Sequence, residues 1–162
     1  MEAYDALGFV FESLHDDTAA VRNYEKAIQL NEARAGRFST PYVNLSALHN
    51  KAGNADLAIQ NARKAIEFNP KSDGALFQMA RAYQSRNEWS NAAEAAEKAV
   101  SINPRVASYY YVLGTAYRRL GKQKESQDAL AIFQKLEREA AEFEDKRRQA
   151  RGGETAPGRK PQ

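Results

Sequence analysis

Apolar residues recur along this chain at intervals of three and four, and the whole pattern then repeats at an interval of 34. Pro70 and Pro104 are separated by 34 residues, and the same offset links Leu45, Met79 and Leu113, and again Ala65, Ala99 and Phe133. Upstream of Leu45 the matching offset is 38, because YDALGFVF at 4–11 aligns with YYVLGTAY at 110–117. The first unit therefore carries four additional residues, placed around Ala35–Phe38. Four units follow, at 1–38, 39–72, 73–106 and 107–140, and positions are counted below from the first residue of each unit.

Position 4 is Tyr4, Tyr42, Leu76 and Tyr110, and position 7 is Leu7, Leu45, Met79 and Leu113. Position 8 stays small: Gly8, Ser46, Ala80 and Gly114. Position 11 is Phe11, His49, Tyr83 and Tyr117, and position 20 is Ala20, Ala58, Ala92 and Ser126. Positions 4, 7, 8 and 11 share one face of a 3.6-residue period, as do 20, 24 and 27, so each unit is expected to be two antiparallel helices, A and B. HDD, KAGNAD, RNEW and LGK supply turns between A and B, and FNP and INP end the second and third B helices, since proline cannot continue a helix interior. No helix pair can bury both of its apolar faces alone, so the units must stack.

The residues at these positions resemble the tetratricopeptide repeat, whose pattern is W-x2-L-G-x2-Y, then A-x3-F-x2-A, then P. Here the units read Y4-x2-L7-G8-x2-F11 with A20-x3-Y24-x2-A27, Y42-x2-L45-S46-x2-H49 with A58 and P70, L76-x2-M79-A80-x2-Y83 with A92 and P104, and Y110-x2-L113-G114-x2-Y117 with S126. The departures are the insertion, Glu32 and Arg138 in place of proline, and His49 in place of an aromatic residue. The resemblance implies an all-α, right-handed superhelical solenoid of antiparallel helix pairs that acts as a protein–protein interaction scaffold. It also implies that the A helices line a concave groove through positions 2, 5, 6, 9, 12 and 13. On this chain the groove residues singled out are Asn44, Phe77, Gln78, Arg81, Tyr111, Thr115, Arg118 and Arg119, with acidic groups toward the amino-terminal end of the groove, basic ones toward the other and Phe77 and Tyr111 as aromatic platforms between. A peptide segment or partner helix carrying an acidic residue beside an apolar or aromatic one would suit that surface. The two-carboxylate clamp of chaperone-tail binders is not expected, because Asn44 alone matches it and Asp5 stands where a lysine would be needed.

Past Gly121 no helix stop occurs before Ala150, so the last B helix is expected to close the stack and project beyond it to about residue 150. RGGETAPGRKPQ, at 151–162, then reads as a disordered tail. The first unit is fully patterned from position 4 and has no cap before it, which leaves Tyr4, Leu7 and Phe11 open to an upstream domain or a second copy. Self-association through that unit, and an accessory role in a larger enzyme or regulator whose catalytic part lies upstream, are the alternative functions.

Composition narrows the chemistry. With 43% apolar and 28% charged residues in 162, the chain can fold and stay soluble. It has no cysteine, which removes thiolate chemistry and every Cys-based metal site, and its two histidines do not share a face with carboxylates at ligand spacing. His15 reads as a turn residue and His49 as a packed one. No Gly-rich phosphate loop occurs, and pairs such as Asp16–Asp17 lack the apolar pocket that acid catalysis requires. The chain is thus read as non-enzymatic, without cofactor or metal. Residues 1–145 carry 18 basic and 20 acidic groups, whereas 146–162 carry 6 and 1, so the net charge of +3 belongs to the tail. KRRQARGG could touch phosphates, but a basic helix end also complements the helix dipole, and nucleic acid is not the expected partner. No apolar run is long enough for a membrane span and the amino terminus is acidic, so the expectation is a cytoplasmic protein without a membrane partner.

Overall fold

The computed structural model describes residues 1–33 and 38–152. It contains eight helices in chain order: α1 (Glu2–Ser13), α2 (Asp17–Ala33), α3 (Thr40–Lys51), α4 (Ala55–Phe68), α5 (Asp73–Ser85), α6 (Trp89–Ile102), α7 (Ala107–Arg119) and α8 (Gln123–Gly152). Odd-numbered helices are the A helices of the four units and even-numbered ones the B helices.

Each A–B turn is closed by one residue with left-handed backbone at position 15: His15 (φ 60°), Gly53 (φ 78°), Asn87 (φ 60°) and Gly121 (φ 76°). His15 is therefore a turn residue. Side chains help the helix starts, because Asp16 Oδ1 accepts from the Ala19 amide at 2.9 Å and Ser72 Oγ from that of Ala75 at 3.3 Å. At the B-helix ends, Asn69 and Asn103 precede proline and take extended backbone, which the proline ring enforces on its predecessor. Asn31 occupies the same position in the first unit. Fully buried, it bridges the returning chain: its amide donates to the Phe38 carbonyl at 3.2 Å and its carbonyl oxygen accepts from the Phe38 amide at 3.1 Å. Of the insertion, Ala35–Arg37 lie outside the described residues. The fourth unit has Glu137 at this position and no proline, so α8 continues. It runs through Arg151 and Gly152, since no proline intervenes. Residues 153–162, read above as a disordered tail, lie outside the described residues.

Every A helix packs on its own B helix, every B helix on the next A helix, and successive A helices also touch one another. Successive B helices do not come into contact among the described residues. A stack whose A layer touches and whose B layer does not must curve toward the A side, which becomes the inner face. Hollows remain in the outer layer, one of about 700 Å3 between α2 and α4 and one of about 410 Å3 between α4 and α6.

Alanine dominates the core, with Ala20, Ala58, Ala62, Ala65, Ala92, Ala96 and Ala99 all fully buried, so helix axes approach closely. Within each unit, position 8 of the A helix faces position 24 of the B helix, and the two sizes are reciprocal. Gly8 faces Tyr24 and Gly114 faces Leu130, whereas Ser46 is matched by Ala62 and Ala80 by Ala96. A methyl group on Gly8 would sit 2.5 Å from the Tyr24 ring, and one on Gly114 would sit 2.7 Å from Leu130 Cγ. Positions 8 and 20 are also joined by mirror-image hydrogen bonds: Ser46 Oγ donates to the Ala58 carbonyl at 2.7 Å, and Ser126 Oγ to the Gly114 carbonyl at 2.8 Å.

Candidate functional site

The inner face is built by positions 5, 6, 9 and 12, which one A helix after another brings to the same side. Residues four and three apart align along each helix, giving Phe77, Arg81 and Gln84 on α5 and Tyr111, Thr115 and Arg118 on α7.

Position 12 links neighbouring A helices. Asn50 donates to the backbone carbonyl of Gln78 at 2.8 Å and to its Oε1 at 3.0 Å. Gln84 likewise donates to the Val112 carbonyl at 3.0 Å. In the first unit position 12 is Glu12, which cannot donate; its carboxylate accepts instead from Tyr24 Oη at 3.0 Å. In the fourth unit position 12 is Arg118, and its side chain is exposed, with no described A helix after it.

The structure engages three of the expected groove residues internally. Asn44 donates to Asp5 Oδ1 at 3.0 Å, joining α3 to α1. Burial raises the Asp5 carboxyl above its ordinary range and the Asn44 bond partly offsets the rise. Gln78 receives the Asn50 bonds and a longer one, 3.5 Å, from Arg81. Arg119 turns away from the line formed by Tyr111, Thr115 and Arg118, and its guanidinium lies 5.3 Å from the Trp89 ring at the start of α6.

The two aromatic platforms do not form one surface. Phe77 is half-buried, with its ring 4.9 Å from that of Tyr109 and Arg81 stacked on it at 5.8 Å. Tyr111 is 54% exposed and rests on Phe133 of α8 at 5.4 Å. Tyr109 covers Phe77 because it is the large residue at position 3, where the other units have Ala3, Pro41 and Ala75. That difference in size was readable in the sequence. Tyr109 Oη in turn donates to Asp73 at 3.0 Å, and burial, followed by this bond, raises its pKa. Of the expected groove residues, Arg81, Tyr111 and Arg118 thus remain exposed and Thr115 is half-buried, while at the amino-terminal end of the inner face Phe9, at position 9 of the first unit, is 64% exposed.

On the outer side, position 11 reaches back to position 25 of the preceding B helix. Tyr117 Oη donates to Glu97 at 2.7 Å, and burial, then this bond, pushes its pKa up to about 12. Arg63 donates to Tyr83 Oη at 3.4 Å. His49 holds the equivalent place opposite Glu25, at the floor of the hollow between α2 and α4. Burial lowers its pKa and the Glu25 carboxylate partly opposes the shift. His49 is therefore a packed residue, and no set of three His, Asp or Glu side chains among the described residues is arranged to hold a metal ion. No helix among the described residues is long and apolar enough to cross a membrane.

Comparisons with known proteins agree with this architecture. Family models described as tetratricopeptide repeat match residues 2–34, 39–72 and 107–131, and a related one matches 74–105. The small glutamine-rich tetratricopeptide repeat-containing protein 2 of Mycosarcoma maydis is 34% identical over 92 residues, covering 57% of this chain and 25% of that protein. A photosystem I assembly protein, Ycf3 of Prochlorococcus marinus, is 32% identical over 79 residues, covering 49% of this chain and 45% of its own. The chain thus spans less than half the length of these curated relatives. Among solved structures, the crystal structure of MamA superimposes with a TM-score of 0.75 at 23% identity, covering 87% of this chain and 80% of that one. A thermophilic tetratricopeptide repeat protein of Thermus thermophilus gives 0.70 at 20% identity, with 84% and 74% covered. These likenesses to solved structures show the fold.

Proposed function

This chain belongs to the tetratricopeptide repeat family, and from that premise we propose that it is a non-catalytic interaction scaffold that binds a peptide segment or partner helix on the inner face of α5 and α7. One observation carries the reading. At position 12, Asn50 and Gln84 each reach a backbone carbonyl of a neighbouring helix, while Arg118 presents the same donor position to solvent beside the exposed ring of Tyr111. A segment laid against α7 would find there a cationic donor for a carboxylate or carbonyl and an aromatic surface for apolar contact, with Arg81 as a second charge along the path. The favoured ligand carries an acidic residue next to an aromatic or aliphatic one. The charges orient the encounter, and the ring supplies desolvated area.

The test is fluorescence anisotropy with a panel of labelled peptides bearing Asp or Glu beside Phe, Trp or Leu, against the same peptides with the acids replaced by amides. Tyr111→Ala and Arg118→Glu are expected to weaken the binders by about 1–3 kcal/mol, and Arg118→Glu also to flatten the salt dependence. Lys64→Glu, on the outer layer, should leave binding unchanged. Equal binding by the parent, Tyr111→Ala and Arg118→Glu would refute the assignment.

A further inference from the structure

The two ends of the stack are opposite in charge. Residues 1–21 hold five acidic groups, Glu2, Asp5, Glu12, Asp16 and Asp17, and no Lys or Arg. Residues 107–124 hold four basic groups, Arg118, Arg119, Lys122 and Lys124, and no acidic one. Both ends also leave uncovered the positions that join units inside the stack. Position 10 is buried in α3, α5 and α7 as Leu48, Ala82 and Ala116, whereas on α1 it is Val10, 49% exposed, with Leu7 at 45% beside it. At the other end Tyr111 and Arg118 hold positions 5 and 12. Inside the stack these two positions reach position 6 of the next A helix: Asp5 accepts from Asn44, and Asn50 and Gln84 donate to the Gln78 and Val112 carbonyls.

We propose that α1 of a second copy of this chain docks on the α7–α8 end as a fifth A helix and is a partner of the site formed by Tyr111 and Arg118; the proposal rests on the assignment of that site as a binding surface. Side-chain sizes match in the register that the repeat dictates. Position 6 of α1 is Ala6, which is exposed and leaves room for the Tyr111 ring, where the other units place Asn44, Gln78 and Val112. Position 27 of a B helix packs with position 3 of the next A helix, Ala65 with Ala75 and Ala99 with Tyr109. On α8 position 27 is Phe133 and on α1 position 3 is Ala3, so a large residue again meets a small one. Charge fits the same register. The Arg118 side chain is longer than that of Asn50 or Gln84 and extends past the partner's Ala6 toward the partner's Glu2, one helical turn before it. Along the A–B turns, Asp56 of one unit pairs with Arg86 of the next. At the junction between copies the signs reverse: Lys124 stands in the place of Asp56, and the acidic turn at the partner's Asp16 comes to that edge. Contact of like ends is opposed, since α1 against α1 sets acid against acid and α7–α8 against itself sets base against base. The contact is therefore heterologous, and each docked pair keeps one open α1 and one open α7–α8 end, so copies add head to tail. Its strength is limited by α8, where Gln127 and Gln134 replace Ile59 and Ile66 of α4, which pack with Ala82 and Ala75 of α5. Association is thus reversible, grows with concentration and weakens with salt.

The experiment is sedimentation velocity of the full chain from the low to the high micromolar range at two salt concentrations. The parent should form dimers and then longer species as concentration rises, and at lower concentration in low salt. Val10→Asp on α1 and Arg118→Glu on α7, both at exposed positions and both folded by circular dichroism, should each weaken association roughly tenfold or more. Mixed in equal amounts, the two variants should form a dimer that grows no further, because the Arg118→Glu copy still offers α1 and the Val10→Asp copy still offers Tyr111 and Arg118. A parent that stays monomeric throughout overturns the proposal. So does a Val10→Asp variant that associates like the parent, or a pair of variants that stays monomeric when mixed. Anisotropy with the acidic–aromatic peptides separates this result from the fate of the site itself: a monomeric parent that binds them leaves the site assignment standing, and one that binds none removes both.

Discussion

A methyl group added to Gly114 would lie 2.7 Å from Leu130 Cγ, 2.9 Å from Cδ2 and 3.3 Å from the carbonyl oxygen of Ser126. Leu130 could swing aside, but the Ser126 carbonyl belongs to the α8 backbone and already accepts within the helix, so the two helices must separate or the side chain must leave its rotamer. Overpacking of this kind costs about 1–3 kcal/mol, whereas alanine in place of glycine at an unobstructed helix position gains about 1 kcal/mol. Gly114→Ala is therefore expected to destabilise by about 1–2 kcal/mol. Leu130→Ala alone should cost about 1–2 kcal/mol, below the range for a fully buried leucine because Leu130 is only half-buried. The double variant recreates the Ala80–Ala96 pair that the third unit uses in the same place. It should fall within about 1 kcal/mol of the parent, a favourable coupling of about 2 kcal/mol. Urea unfolding followed by circular dichroism, with midpoints compared at unchanged m value, measures all four proteins. The reciprocity between positions 8 and 24 is refuted if the two single effects add to within about 0.5 kcal/mol, or if Gly114→Ala raises stability.

Three further outcomes are expected. His15→Gly and Asn87→Gly, both at left-handed backbone, should each raise stability by about 0.5–1 kcal/mol in thermal melts, while Gly53→Ala should lower it. Because burial holds the His49 pKa below its ordinary 6.5, the unfolded chain takes up the proton first as pH falls. The contribution of His49 to stability is thus complete above pH 6.5 and declines below it; urea midpoints at successive pH values should show that slope reduced in His49→Phe. Asn31→Ala leaves the Phe38 amide and carbonyl without their partners and should cost about 1–3 kcal/mol in the same unfolding assay.

What the sequence by itself determined is whatever depends on one helix or one turn. The division into A and B helices, the stops at Asn69–Pro70 and Asn103–Pro104 and the continuation of α8 follow from residues within a few positions of one another, since helix periodicity and proline sterics act locally, and the 34-residue period is the recurrence of those local patterns along the chain. The site was legible only as a face. That positions 5, 6, 9 and 12 share the inner side follows from the helical repeat, but which of those side chains stay available to a ligand depends on residues 28 to 39 positions away. Asn44 meets Asp5, and Gln78 meets Asn50, because adjacent A helices touch. Phe77 is covered because the next unit places a tyrosine at position 3 where the others place alanine or proline. Arg119 leaves the inner face because Trp89 begins α6 beneath it. Each outcome turns on the distance and angle between units, which the summed packing of small residues at positions 8, 20 and 24 sets, and no single stretch of chain encodes that sum.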